Sequence, residues 1–186
     1  MIGWIWKLYW KFSGWKVVGE FPYQYKKMVL IVAPHTSSSD VIIGFAARHH
    51  LKIHHAKFLG KKELFDGPFG FIFRWLGGTP VDRFSKQGMV EQVVAYFANN
   101  ENFLLAMAPE GTRKRVDKLR TGFYHIAQQA GVPILPVGLD FKNKQLVLGE
   151  PLFTTNDEAA DMKKVIAFFA EIRGKHPEYD LGHLKE

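Results

Sequence analysis

The sequence predicts an α/β fold: a single domain with a mixed, largely parallel central sheet flanked by helices. Three observations carry this expectation. Short β-rich apolar runs alternate with segments of helical period along the chain. The run Met28-Val29-Leu30-Ile31-Val32 is apolar without alternation, as suits a strand covered on both faces. A length of 186 residues is enough to bury one core without metal or disulfide staples.

Taken in order, Ile2 to Phe12 has helical spacing, with Lys7 and Lys11 one turn apart and Ile2, Ile5, Trp6, Leu8, Tyr9, Trp10 and Phe12 around most of the remainder. Such a helix either packs into the domain or lies in a membrane headgroup layer, Trp and Tyr at the boundary and the lysines toward lipid phosphate. Strands are expected at Lys16 to Glu20 and Met28 to Ala33, followed by a turn from Pro34. Thr36 to Ser39 offer hydroxyl caps, and Val41, Ile42, Phe45, Ala46 and His49 continue at helical spacing, so a helix should start close to Ser38. The alternation then repeats. A strand is expected around His55 to Leu59, a helix through Glu63 to Trp75, a strand near Thr79 to Asp82 and a helix from Ser85 to Asn99. Next come the strand Asn102 to Ala108, the helix Gly122 to Ala130, the strand Pro133 to Leu139 and a hairpin partner at Gln145 to Leu148. A helix from Asp157 to Arg173 closes the pattern, and the polar tail after Gly174 is expected to be loose. No internal repeat, low-complexity tract or linker divides the chain.

Composition narrows the chemistry. There is no cysteine, which excludes disulfides, thiolate metal sites and a Cys nucleophile. A formal charge of +7 favours acidic partners: nucleic acid, anionic lipid, a phosphorylated substrate or an acidic carrier protein. The 16 Phe and 5 Trp lie largely in stretches that also carry Lys or Arg, a mixture suited to an interface. No apolar segment reaches the roughly 18 to 20 residues that span a bilayer, so no transmembrane anchor is expected. Trp, Tyr and Lys are interleaved from Gly3 to Lys16, unlike a secretory signal, and the N-terminus reads as part of the mature protein.

The block Pro34-His35-Thr36-Ser37-Ser38-Ser39-Asp40 falls where a buried strand ends and a helix begins, the usual place for active groups in open α/β sheets. With His35 in the loop and Asp40 in the first turn, the carboxylate can accept the Nδ1 proton and leave Nε2 as a base. That is two-thirds of a serine-protease triad, with the substrate's own hydroxyl in place of the third member. Two further blocks, Gly77-Gly78-Thr79-Pro80-Val81-Asp82-Arg83 and Ala108-Pro109-Glu110-Gly111-Thr112-Arg113, combine a strand end, glycine and arginine. Two guanidinium forks from separate strand ends could converge on one dianion. The plainer alternative pairs Arg83 with Asp82 or a surface acid, and Arg113 with Glu110.

Together with Val132-Pro133-Ile134-Leu135-Pro136-Val137, these blocks resemble, in order and spacing, the glycerolipid acyltransferases typified by lysophosphatidic acid acyltransferase. The resemblance implies His35 as base and Asp40 as its orienter. It implies Arg83 and the segment Glu110, Gly111, Thr112 and Arg113 as binders of acceptor phosphate, with Pro136 near an acyl pocket. It further implies an O-acyltransferase of phospholipid biosynthesis, moving a fatty acyl group from an acyl-coenzyme A or acyl-carrier-protein thioester to a lysophosphatidic acid-like lipid. That activity needs no cofactor beyond the thioester co-substrate and no metal, and it belongs at the cytoplasmic face of a membrane, peripheral or monotopic. In these terms residues 1–186 form one acyltransferase domain, with 1–14 as a membrane-interface helix and 28–140 as the motif-bearing core. Two departures stand out: Pro34 replaces the Asn often found before the His, and Arg120 takes the place of a lysine common after the Glu-Gly-Thr-Arg block, as a substrate-binding residue that can also hold phosphate but with different geometry. The chain is also short for the family, leaving room before the first block for one interfacial helix.

Other readings are weighed against this one. Arg113 to Arg120 is a basic stretch suited to substrate phosphate, an anionic membrane or an acidic carrier; no nucleic-acid module accompanies it, and no nucleic-acid partner is expected. His49, His50, His54 and His55 straddle a helix-to-strand junction and lack an H-E-x-x-H pattern, so they are not expected to hold metal. His125 reads as a packing residue on a helix. Phe65, Phe69, Phe71, Phe73 and Trp75 either line an acyl channel or pack in the core. A thioesterase or lipase is the enzymatic rival, though there is no G-x-S-x-G elbow, and a non-catalytic lipid-binding module is the other.

Overall fold

The computed structural model describes residues 3–82 and 88–185. Its strands are β1 (Lys16–Val18), β2 (Lys27–Ala33), β3 (Ala56–Lys61), β4 (Gly78–Val81), β5 (Phe103–Met107), β6 (Ile134–Asp140) and β7 (Gln145–Leu148). They form one seven-stranded sheet in the order β1-β7-β6-β2-β5-β3-β4. The sheet is mixed and largely parallel, as the alternation predicts. Among the described strand pairs only the β6-β7 hairpin is antiparallel, with Val137 opposite Leu148 and Asp140 opposite Gln145.

The helices are α1 (Gly3–Ser13), α2 (Ser39–His50), α3 (Lys62–Asp66), α4 (Gly70–Trp75), α5 (Met89–Asn99), α6 (Gly122–Ala130) and α7 (Glu158–Ala170). Period-two alternation along β2 sends its side chains into two separate cores. Val29 and Ile31 join Val93 and Phe97 of α5, Phe123 and Ile126 of α6, and Val165 and Phe169 of α7. Met28 and Leu30 join Trp10 of α1 and Ile43, Ala46 and Ala47 of α2. With both faces covered, β2 needs apolar residues at every position, which explains the unbroken run in the sequence.

In three places the structure departs from the sequence reading. The helix expected over Glu63 to Trp75 is two short ones, α3 and α4, separated at Gly67 and Pro68. Proline supplies no N–H and disfavours helical backbone at the residue before it, so the segment turns there, with Gly70 N donating to Gly67 O at 2.9 Å. The tail after Gly174 is not loose. It forms 3₁₀ turns at Pro177–Tyr179 and Gly182–Lys185, and Leu181 is completely buried. Finally, the Ser38 side chain makes no cap bond at the start of α2, where instead the Ser37 hydroxyl accepts from Ser39 N at 3.2 Å. Among the described residues no helix is long and apolar enough to cross a membrane.

Candidate active site

Strands β2 and β5 run side by side and parallel, with Ile31 opposite Met107, and end at the same, carboxyl end of the sheet. The loops that follow them therefore emerge together, and they bring His35 to the Glu110 block 75 residues away. The His35 N–H donates to Glu110 Oε1 at 2.7 Å.

Asp40 sits in the first turn of α2, buried, and its Oδ2 is where the loop converges. It accepts from Thr36 N and Ser37 N, each at 2.8 Å, and lies 3.0 Å from His35 Nδ1. A carboxylate oxygen has no proton to offer, so Nδ1 carries the hydrogen of that contact and Nε2 keeps its lone pair. Nε2 points outward, where the Arg113 Nε–H donates to it at 3.3 Å. Arg113 Nη1 also donates to Ser38 Oγ at 3.1 Å, so the serine hydroxyl foreseen as a helix cap is instead turned to the arginine.

Glu110 stands elsewhere than foreseen. Expected beside acceptor phosphate, its carboxyl is buried beneath the His35 loop, 3% exposed, with Oε2 accepting no hydrogen bond. Burial pushes its pKa up to about 7, against the hydrogen bond from the His35 N–H, which pulls it down. It props the loop and does not face solvent. Gly111 has φ of +65°, in the left-handed region that favours glycine, and a Cβ there would meet Arg120 Nε at 2.5 Å. Arg120 N in turn donates to Pro109 O at 2.8 Å, closing the loop on itself. Thr112 Oγ1 accepts from Lys114 N at 3.3 Å, a local turn bond. Arg83 lies outside the described residues.

Next to this cluster, α2 flanks a cavity of about 410 Å³ lined by Leu30, Val32, Val41, Phe45, Phe58, Phe73, Val137 and Leu139 among others. Pro136, expected near an acyl pocket, does not line it. It alternates with Val137 on β6 and faces the other way, toward Gly149 and the α7 side of the sheet. The aromatic series divides. Phe73 lines the cavity and Phe65 is buried, whereas Phe69, Phe71 and Trp75 are exposed. Arg48 closes one end, its guanidinium donating to Leu76 O at 2.5 Å and to His54 O. The histidines are dispersed: His50 stacks on Trp10 with ring centroids 4.7 Å apart, His49 lies 4.6 Å from His54, and no metal-ligand group of three appears among the described residues. His125 is half-buried, 3.3 Å from Thr121 Oγ1.

The model of the acyltransferase family matches residues 15–140, which include the His35 loop, the Glu110 block and the strands that carry them. The chain belongs to the acyltransferase family. Over 86 residues it is 40% identical to the 1-acyl-sn-glycerol-3-phosphate acyltransferase of Escherichia coli strain K12, covering 42% of this chain and 35% of that one. The protein of the same description from Haemophilus influenzae is 40% identical over 85 residues, covering 42% and 35%. That from Cocos nucifera is 33% identical over 87 residues, covering 44% and 28%. The matches thus span about a third of these relatives. The crystal structure of the 1-acyl-sn-glycerophosphate acyltransferase of Thermotoga maritima superposes with a TM-score of 0.58 at 22% identity, covering 90% of this chain and 74% of that one. The acyltransferase fold is therefore shared across the sheet and its helices.

Two features of the site escaped the sequence reading. One is the supporting position of Glu110. The other is the C-terminal segment, which reaches the same loop: Lys175 Nζ donates to Ser39 Oγ at 2.6 Å and His176 N to Thr36 Oγ1 at 3.2 Å. Leu181, apolar within a polar tail, was the available signal that this segment returns to the core.

Proposed function

We propose that this acyltransferase-family chain transfers a fatty acyl group from a thioester of coenzyme A or acyl-carrier protein to the hydroxyl of a lysophosphatidic acid-like lipid, in phospholipid biosynthesis. The observation that carries this reading is the His35–Asp40 pair at 3.0 Å, with Nε2 facing outward beside a guanidinium. Nε2 accepts the hydroxyl proton of the acceptor while its oxygen attacks the thioester carbonyl. The C–S bond then breaks, and the leaving thiolate takes the proton back from the imidazolium, so His35 ends the cycle unchanged. Asp40 holds the ring in the tautomer that the step requires and stabilises its positive charge. Arg113, with Arg83 and Arg120, grips the acceptor phosphate. The cavity beside α2 takes acyl chain, because α2 carries both Asp40 and the cavity-lining Val41 and Phe45.

Both substrates are amphipathic, which suits a reaction at a membrane surface, with the chain bound peripherally or monotopically on the cytoplasmic side that the family resemblance implies. Exposed apolar residues support this: Trp4, Ile5, Leu8, Tyr9 and Phe12 on α1, Val41 and Ile42 on α2, and Phe71 and Trp75 on α4. Thiol release from acyl-coenzyme A and from acyl-carrier protein, with and without lysophosphatidic acid, tests the reading in wild type and His35→Ala. Release that needs both the acceptor and His35 is expected. Full activity of His35→Ala would discard the base, and free fatty acid without esterified acceptor would make the chain a thioesterase.

A further inference from the structure

The C-terminal segment, absent from every motif above, delivers a lysine to the His35 loop. Its backbone is fixed on both sides of that lysine. Arg173 O accepts from Phe141 N at 2.8 Å, Gly174 N donates to the buried Asp180 Oδ1 at 2.8 Å, and His176 N donates to Thr36 Oγ1 at 3.2 Å. Gly174 passes so close to the loop that a Cβ there would lie 3.0 Å from Thr36 Oγ1 and from Asp180 Oδ1. Further along, His183 lies 3.0 Å from Asp180 O and 2.8 Å from Val116 O, which ties the segment to the basic loop as well.

The backbone at Lys175 is thus held in place, and among the described residues its ammonium meets only a neutral hydroxyl, Ser39 Oγ, at 2.6 Å. Its basic neighbours in the same segment are compensated: Arg173 by Asp180 at 3.6 Å and Lys185 by Glu171 at 2.8 Å. Among the described residues neither Lys175 nor Arg113 has a carboxylate within salt-bridge distance. The two cations instead rest on consecutive serines, Arg113 on Ser38 and Lys175 on Ser39, and Ser37 Oγ lies 3.3 Å from Ser39 Oγ. Two uncompensated cations and three hydroxyls beside the proposed base make a surface complementary to a phosphate oxygen set, which accepts hydrogen bonds from all five groups.

We propose that Lys175 is a phosphate-binding residue of the active site, delivered by the C-terminal segment and acting with Arg113 across the Ser37–Ser39 hydroxyls. The proposal rests on the acyl-transfer reading for the identity of its ligand. The phosphate belongs either to the acceptor lipid or to the pantetheine arm of the donor, since both carry one.

Equilibrium titration of the whole chain with glycerol 3-phosphate and with pantetheine 4′-phosphate separates these sources without requiring turnover. Loss of one charge-assisted contact should weaken one probe about tenfold in Lys175→Ala, with most of the affinity restored in Lys175→Arg. The KM of the matching substrate should rise by a similar factor while kcat and the melting temperature hold. A chain that binds a probe through Lys175 but turns nothing over would sink acyl transfer and leave this inference standing. Wild type that binds neither probe, or Lys175→Ala that binds both as wild type does, overturns it.

Discussion

Asp40 Oδ2 accepts hydrogen bonds from Thr36 N and Ser37 N and faces His35 Nδ1, while the buried Oδ1 accepts none among the described residues. One oxygen therefore shapes the loop and selects the histidine tautomer. Asp40→Asn removes the charge that stabilises the imidazolium and leaves a neutral amide oxygen to face Thr36 N, Ser37 N and His35 Nδ1. Its kcat should fall about 10²- to 10⁴-fold, the range of general-base catalysis, with a loss of about 1 to 3 kcal/mol in urea unfolding. A variant with wild-type kcat would separate Asp40 from the chemistry. Glu110 makes a different prediction because burial raises its pKa from 4.5 to about 7. The folded chain keeps a proton there that the unfolded chain releases, so Glu110's contribution is complete below pH 4.5 and is lost as pH rises through 7. The loss amounts to on the order of 3 kcal/mol. Glu110→Gln does not titrate, so its stability relative to wild type should increase between pH 4.5 and 7 and level off above. Unfolding curves that stay parallel at pH 5 and pH 8 would contradict this.

At the scale of elements, α2 does two things at once. Its first turn holds Asp40, and its next two turns wall the cavity with Val41, Gly44, Phe45 and Arg48. Gly44 lines the cavity and a Cβ added there meets nothing within 4 Å, so the position has space for a side chain to begin. Gly44→Leu also raises helix propensity, so the helix itself is not weakened. If the leucine excludes two methylenes of an acyl chain, it costs about 1.6 kcal/mol of burial, a factor of roughly fifteen. Competition between long- and short-chain acyl donors should show the variant shifted toward the short ones by about that factor. Equal discrimination in both proteins would remove the acyl chain from this cavity. The C-terminal segment is the second element with a dual part, since it seals the core with Leu181 and braces Thr36. Leu181→Ala should destabilise the chain by about 2 to 5 kcal/mol, read from the shift in denaturation midpoint.

Across the whole molecule, charge and apolar surface are distributed together. The net charge of +7 accompanies an α1 whose Trp4, Leu8 and Phe12 are exposed, while Trp10 is buried and Trp6 lies 5.9 Å from Phe45 of α2. The helix is thus fastened to the body by one face and offers another, with Lys7 and Lys11 also exposed. Replacing Trp4, Leu8 and Phe12 together by Ser should remove most sedimentation with phosphatidylglycerol vesicles, and salt should weaken the wild-type binding. Vesicle binding unchanged by the triple substitution would assign the membrane contact to other surfaces.

The motif residues and the strand-helix alternation were legible because both are local. His35 and Asp40 lie five residues apart at a strand-to-helix junction, and buried strands such as β2 announce themselves by composition. The break at Pro68 and the supporting part of Glu110 were less so. The first is a contest between helical periodicity and one proline, and the second depends on which way a carboxyl turns once its loop is packed. Pro136 shows the same thing on a strand, where a shift of one residue exchanges the cavity for the opposite face. Least legible was the meeting of Lys175 with Ser39, 136 residues apart, which no spacing encodes. Local chemistry names the groups a chain can use, because propensity and periodicity act over a few residues. Which groups meet, and which way each one faces, follows from strand order and core packing, and those belong to the folded chain as a whole.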